Sequence, residues 1–136
     1  MRGQVIAVHG RHYLVEVASG ETLTCFPRGK RSLLACGDLV AVMRTAAGQG
    51  VVEAVDPRRS LLYRSDRHRQ KLIAANVTQI VVVLATMPSV YEELLNRCLA
   101  AAEHQRIAAL IVLNKFDLIE SNSNALGILE LYRDLG

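Results

Sequence analysis

The sequence predicts two unlike parts in series: a small five-stranded β-barrel, then the opening of a parallel α/β sheet. Three observations predict this. Five short strand-like stretches, punctuated by glycine turns, fill residues 4–55 and leave no room for helices. At Ala74 the alternating pattern gives way to continuous apolar runs, the mark of strands buried in a parallel sheet. A helical stretch then separates two such runs, which is the order of a β-α-β unit. The expected division is a barrel domain over residues 1–71, with a basic connector from about residue 57, and an incomplete α/β domain over 72–136.

Residues 4–8 and 12–17 are strands joined by the short turn His9-Gly10-Arg11. In the second, Tyr13, Val15 and Val17 alternate with His12, Leu14 and Glu16, as in a half-buried strand. Ser19-Gly20 turns into a third strand, Glu21 to Phe26. Cys36-Gly37-Asp38 and Ala47-Gly48-Gln49-Gly50 are turns into Leu39–Met43 and Val51–Val55. Five such strands suit the OB-fold, a barrel that commonly binds oligonucleotides, with a small SH3-like barrel as competitor. Pro27-Arg28-Gly29-Lys30-Arg31 is a basic loop. Arg31 stands where a phosphate-binding P-loop needs Ser or Thr, and Thr24 where its first glycine would be, so this is no P-loop.

Residues 57–71 show no sustained periodicity and a heavy positive balance. Beyond them, Gln79–Ala85 is an apolar strand expected to be covered on both faces. Ser89 and Glu92 have the spacing of a capping box. The helix after it, to about Gln105, puts Leu94, Leu95, Cys98, Leu99 and Ala102 on one face. Ala108–Leu113 is the second apolar strand. A last helix is expected from about Ser123 to Leu135, with Gly136 as its cap.

Composition sets the compartment and the partners. The 136 residues are 51% hydrophobic, enough for one ordinary domain or two small ones. No apolar run approaches a membrane span, and Met1-Arg2-Gly3-Gln4 shows no signal-peptide pattern, so neither a membrane nor secretion is expected. Three cysteines without C-x-x-C spacing argue against a disulfide framework or a zinc site and fit a reducing cytoplasm. Four histidines without ligand spacing read as surface or loop residues. The net charge of +3 is uneven: residues 1–75 carry 12 Lys/Arg against 6 Asp/Glu, and residues 76–136 carry 4 against 7. The basic half points to a polyanion. Its candidate contacts are Arg28, Lys30 and Arg31 on the loop and Arg64, Arg67, Arg69 and Lys71 on the connector. Tyr13 and Tyr63 are the aromatic residues near them that could stack on a base. So few platforms predict recognition by charge and shape.

Asn114-Lys115-Phe116-Asp117 closes the second apolar strand, at the carboxyl edge where open α/β sheets bind ligands. A fixed carboxylate at Asp117 can accept two parallel N–H bonds from the N1–H and 2-amino group of guanine. Adenine would leave it unpaired, and a site built on such a bond rejects the wrong base by roughly 10⁴–10⁵ in favourable cases. Asn114 has donor and acceptor for the other base edge, and Lys115 can lie its stem along the base.

With these residues in view, the chain resembles the RsgA (YjeQ/YloQ) family of circularly permuted GTPases. The resemblance rests on Arg28-Gly29-Lys30-Arg31, Gly37-Asp38-Leu39-Val40, Ala74-Ala75-Asn76-Val77, Asn96 to Glu103, and Ile111 to Leu118. Thr78 and Asn96 depart from it, since the family usually has Asp at both. The resemblance implies a GTPase acting in maturation of the small (30S) ribosomal subunit, with that subunit, its rRNA and GTP/GDP as partners. Asn114, Lys115 and Asp117 would read guanine. It also implies that this chain holds the barrel and the first part of the GTPase domain. The P-loop, and with it Mg²⁺ and a structural zinc module, would lie in parts of the family not present in these residues. The alternative reading is an OB-type RNA-binding module with a non-catalytic α/β appendage.

Overall fold

The computed structural model describes residues 1–29, 33–87, 89–118 and 124–136. These form two compact units, Met1–Val77 and Thr78–Gly136.

In the first unit, β1 (Arg2–His9), β2 (His12–Val17), β3 (Thr22–Pro27), β4 (Leu39–Ala46) and β5 (Gln49–Val55) close in the order β1-β2-β3-β5-β4. That is the OB topology expected. All neighbours are antiparallel except β3 and β5, which run parallel from Thr24↔Gln49 to Pro27↔Val52. The first strand bends at an irregularity between Val5 and Ala7, so it pairs with both β2 and β4 and shuts the barrel. Alternation then fills the inside: Val5, Tyr13, Val15, Val17, Leu23, Cys25, Val40, Val42 and Val52 are buried together. Fully burying a side chain of this size contributes roughly 1.5–3 kcal/mol, and closure leaves no barrel edge to pair with another chain.

The connector differs from expectation. It is an antiparallel hairpin, β6 (Leu61–Ser65) and β7 (Gln70–Ala75), paired from Leu61↔Ala75 to Ser65↔Gln70. Its apolar residues are confined to Leu61–Tyr63 and Leu72–Ala75, and residues 63–71 are exposed throughout, which is why residues 57–71 show no period. β7 runs through residues 71 and 72, and the whole hairpin belongs to the first unit. It is tied to the barrel at Gly37. There the backbone has φ +94°, and a Cβ would drive into the Ala75 carbonyl oxygen, so only glycine fits. Around that point Ala75 N–H donates to the Cys36 carbonyl at 2.7 Å and Asn76 Nδ2 to the Gly37 carbonyl at 2.9 Å.

The second unit holds β8 (Gln79–Ala85), α1 (Glu92–His104), β9 (Ala108–Asn114), a 3₁₀ turn (Phe116–Leu118) and α2 (Asn124–Asp134). The strands are parallel and in register from Gln79↔Ala108 to Ala85↔Asn114. Among the described residues, Leu95, Ala102, Ile107 and Ala125 are its buried ones. Three expectations need correction. The sheet is not covered on both faces: Val81 and Val83 of β8 and Leu110 and Val112 of β9 share an exposed face. The apolar run is therefore built for a covering that these two helices do not supply. There is no capping box either. The helix starts at Glu92 behind an extended Tyr91 with no side-chain cap bond, so Ser89 lies outside it and Glu92 is not three residues in. Glu92 and Glu93 sit in the first turn, where negative charge meets the positive end of the helix. Of the expected apolar face, Leu95 and Ala102 are buried, while Leu94 is more than half exposed. The last helix begins at Asn124; Ser123 lies outside the described residues.

Candidate guanine-reading loop and basic hairpin

Asn114 is the last residue of β9, in register with Ala85 at the end of β8. The loop beyond it joins the two strand ends. Lys115 takes φ +57°, a left-handed conformation uncommon for a residue with a side chain. Four hydrogen bonds hold it there. Its N–H donates to Asn114 Oδ1 at 2.8 Å, and its ammonium Nζ to the Met87 carbonyl at 3.0 Å. Its carbonyl accepts from Thr86 Oγ1 at 3.1 Å and from the Leu118 N–H at 2.9 Å. The last of these bonds closes the 3₁₀ turn that carries Asp117. The lysine stem and head thus brace the loop, and the Asp117 carboxylate is left exposed with no partner among the described residues. A fixed backbone presenting a free carboxylate at the carboxyl edge of a parallel sheet can accept paired N–H donors from a ligand. These residues fit a guanine base on that ground.

The basic candidates fall in two places. Arg28 follows β3, its side chain largely exposed and 3.7 Å from the Glu53 carboxylate, a contact of little energetic weight. Lys30 and Arg31 lie outside the described residues. The other four gather on the β6–β7 hairpin. Arg64 and Lys71 are register partners, and Arg67 and Arg69 belong to the turn between the strands. All four are exposed. The turn is built on Asp66, whose Oδ1 accepts from the His68 and Arg69 N–H groups at 3.0 and 2.9 Å. Those bonds, the His68 one first, hold the Asp66 carboxyl below the usual carboxylate range, and the Arg64 charge adds to them. One acidic residue thereby shapes a turn that displays four cations.

Sequence reasoning missed what fixes this hairpin. Asp38, read as a turn residue, is fully buried, and Arg58, read only as part of the basic connector, is spent on it. Arg58 Nε donates to Asp38 Oδ1 and Nη2 to Oδ2, both at 2.7 Å; Nη2 also reaches the Leu33 carbonyl at 2.9 Å. Ala35 N–H donates to Asp38 Oδ2 at 2.8 Å. Nearby, Asn76 at φ +56° accepts the Arg59 N–H on Oδ1, and Ser60 Oγ donates to the Val77 carbonyl. Nothing in a linear pattern distinguishes an arginine that pairs inward from one that faces water. The other miss is Tyr13: its ring is in the barrel core, so it offers no face to a base.

Residues 55–136 match the family model of the RsgA GTPase. A protein of Nitrosospira multiformis called small ribosomal subunit biogenesis GTPase RsgA is 56% identical over 99% of this chain and 43% of its own length. One of the same name from Ralstonia pickettii is 56% identical over 98% of the chain and 42% of its own length. Among solved structures, YjeQ from Thermotoga maritima superposes with a TM-score of 0.70 at 30% identity, covering 97% of this chain and 47% of that one. YloQ, described as a circularly permuted GTPase, gives 0.69 at 25% identity, covering 99% and 48%. The chain thus spans less than half the length of these relatives. Matched by the family model over more than half its residues, and along nearly its whole length by these relatives, the chain belongs to the RsgA GTPase family.

Proposed function

We propose that this chain is the amino-terminal part of a cytoplasmic GTPase that acts in maturation of the small ribosomal subunit. In this reading Asn114, Lys115 and Asp117 select guanine, while the barrel and its hairpin engage rRNA. The observation that carries it is the braced Lys115 loop, which leaves Asp117 without a partner among the described residues at the carboxyl edge of a parallel pair of strands. The names of the relatives support the rest. When bound, the nucleotide would supply the scissile phosphate. The part of these residues is to choose the base: Asp117 accepts from its N1–H and 2-amino group, and Asn114 meets the opposite edge. Guanine nucleotide binding and the RNA contacts of Arg28, Lys30, Arg31, Arg64, Arg67, Arg69 and Lys71 are both parts of this proposal.

The test uses the complete protein. Asp117→Asn should lower GTP affinity and favour xanthosine triphosphate, because xanthine replaces the 2-amino donor by a carbonyl acceptor that an amide NH₂ can satisfy. Unchanged GTP affinity would remove Asp117 from base reading and return the alternative of an RNA-binding module without nucleotide chemistry.

A further inference from the structure

The outside of the barrel carries a row of side chains that none of these roles uses. His9 and His12 face each other across the β1–β2 hairpin, their rings stacked with centroids 5.4 Å apart and planes at 28°. Phe26 on β3 stands next, 6.2 Å from His12 and tilted by 48°. Phe26 is in register with Val51 of β5, and Val51 with Met43 of β4. Phe26 and Met43 are 44% and 48% exposed. The strand pleat explains the row. Tyr13, Cys25, Val42 and Val52, the residues adjacent in sequence, fill the core, so His12, Phe26, Met43 and Val51 must face outward. Arg11 sits at the hairpin tip between the two histidines, and Arg28 follows Phe26 by one turn residue past Pro27.

This combination has a specific chemistry. Rings in a line, His9 and Phe26 exposed and His12 half-buried between them, offer stacking surface, and every nucleobase has a π-face to stack. Guanidinium groups at the margin suit the phosphates on either side of a stacked base and would be misplaced around an apolar peptide. A duplex hides its base faces, so the row can serve only bases that are unpaired. In barrels of this topology the face of strands 2 and 3 is the one oligonucleotides cross, and the ring row lies on it. We propose that His9, His12 and Phe26 form a stacking platform for unpaired bases of a single-stranded RNA segment, with Arg11 and Arg28 on the flanking phosphates. The inference rests on the RNA-binding reading above and narrows it: the hairpin cations contribute charge, and the ring row contributes the preference for unpaired bases. It also replaces the expectation that charge and shape alone govern recognition.

The test measures binding of the 136-residue chain to two labelled RNAs with equal numbers of phosphates, one fully duplex and one single-stranded with 2-aminopurine at a central position. Phe26→Leu removes the ring and keeps an apolar side chain, His12→Leu removes the ring from the middle of the row, and thermal melts check that both variants fold. The expected result is a loss of roughly tenfold or more in single-strand affinity, with 2-aminopurine quenching abolished and duplex binding within about twofold of the parent. If both variants bind and quench the single strand as the parent does, the stacking platform is overturned while RNA binding stands. If the parent binds neither RNA at low salt, the RNA-binding reading itself fails and the platform falls with it. If the variants lose affinity for intact small subunits but not for the naked strand, the row meets a protein and the inference is likewise overturned.

Discussion

Arg58→Ala asks how firmly the basic hairpin is fixed to the barrel. The change deletes three hydrogen bonds at once, two to Asp38 and one to the Leu33 carbonyl. It leaves a fully buried carboxylate with the Ala35 N–H as its remaining donor among the described residues. Two magnitudes compete. An exposed ion pair is worth about 0–1 kcal/mol. Breaking a buried pair from one side costs about 3–5 kcal/mol, because the surviving charge has no compensation. Asp38 is 0% exposed and the Arg58 side chain 26%, so the pair lies nearer the buried limit. Water reaching the arginine side trims the cost to about 2–4 kcal/mol. For a unit of this size that lowers the melting temperature by about 8–30 °C.

Thermal and urea unfolding followed by circular dichroism would measure it on the whole chain. The double variant Asp38→Ala with Arg58→Ala completes a cycle, and its coupling should be on the order of 2 kcal/mol. A single variant within about 0.5 kcal/mol of the parent would show that the pair behaves like a surface contact. The burial argument would then be wrong, and the hairpin would be held by Gly37, Cys36 and Asn76 alone.

The hairpin turn should also loosen in acid. The Asp66 carboxyl is held below its unfolded value, so its contribution is present above the unfolded pKa and is lost as pH falls through the lower folded one; amide resonances of His68 and Arg69 that stay fixed from neutral pH to well below pH ~4 would refute this. Replacing Arg67 and Arg69 by Ala should weaken RNA binding almost uniformly across sequences and flatten the dependence of log affinity on log salt by about two units; a salt titration that shows the parent slope removes the turn from the contact surface. The 136-residue chain alone should not hydrolyse GTP, because it contains no Gly-x-x-x-x-Gly-Lys-Ser/Thr segment; GTP-specific turnover that co-purifies with it would contradict this.

What was legible in the sequence was whatever rests on period and punctuation. Alternation marked Tyr13, Val15 and Val17 as the inward face of the second strand, and glycine turns marked off the five barrel strands in order. The apolar runs of β8 and β9 and the polar stop at Asn114 were equally plain, since a strand's end needs only a change of composition. The connector was not legible, because the tip of the hairpin, residues 63–71, is exposed throughout and carries too few apolar residues to betray a period. Nor was the Asp38–Arg58 pair, twenty residues apart and chemically identical to a turn acid and a surface base. The ring row escaped for a subtler reason. Histidines were weighed as metal ligands by spacing along the chain, whereas His9, His12 and Phe26 come together across strands. Counting outward positions on β2 and β3 would have found His12 and Phe26 on one face.

The two binding readings divide selectivity from affinity in the same way. At the nucleotide loop, Asp117 can discriminate strongly between bases while contributing few contacts, since a single carboxylate and amide offer little surface. Most of the holding energy for a nucleotide must then come from its phosphates, which this loop does not reach with any recognisable phosphate-binding segment. In the proposed reading of the first unit, the cations of the hairpin would attract any phosphate chain, and the ring row would accept only bases free to stack. In each case the discriminating groups are few and rigidly held: Lys115 is pinned by bonds from both strand ends, and the rings stand on closed-barrel strands. Rigidity is what a small number of contacts requires, because a carboxylate or a ring that must first be ordered spends on ordering the energy it would use to choose.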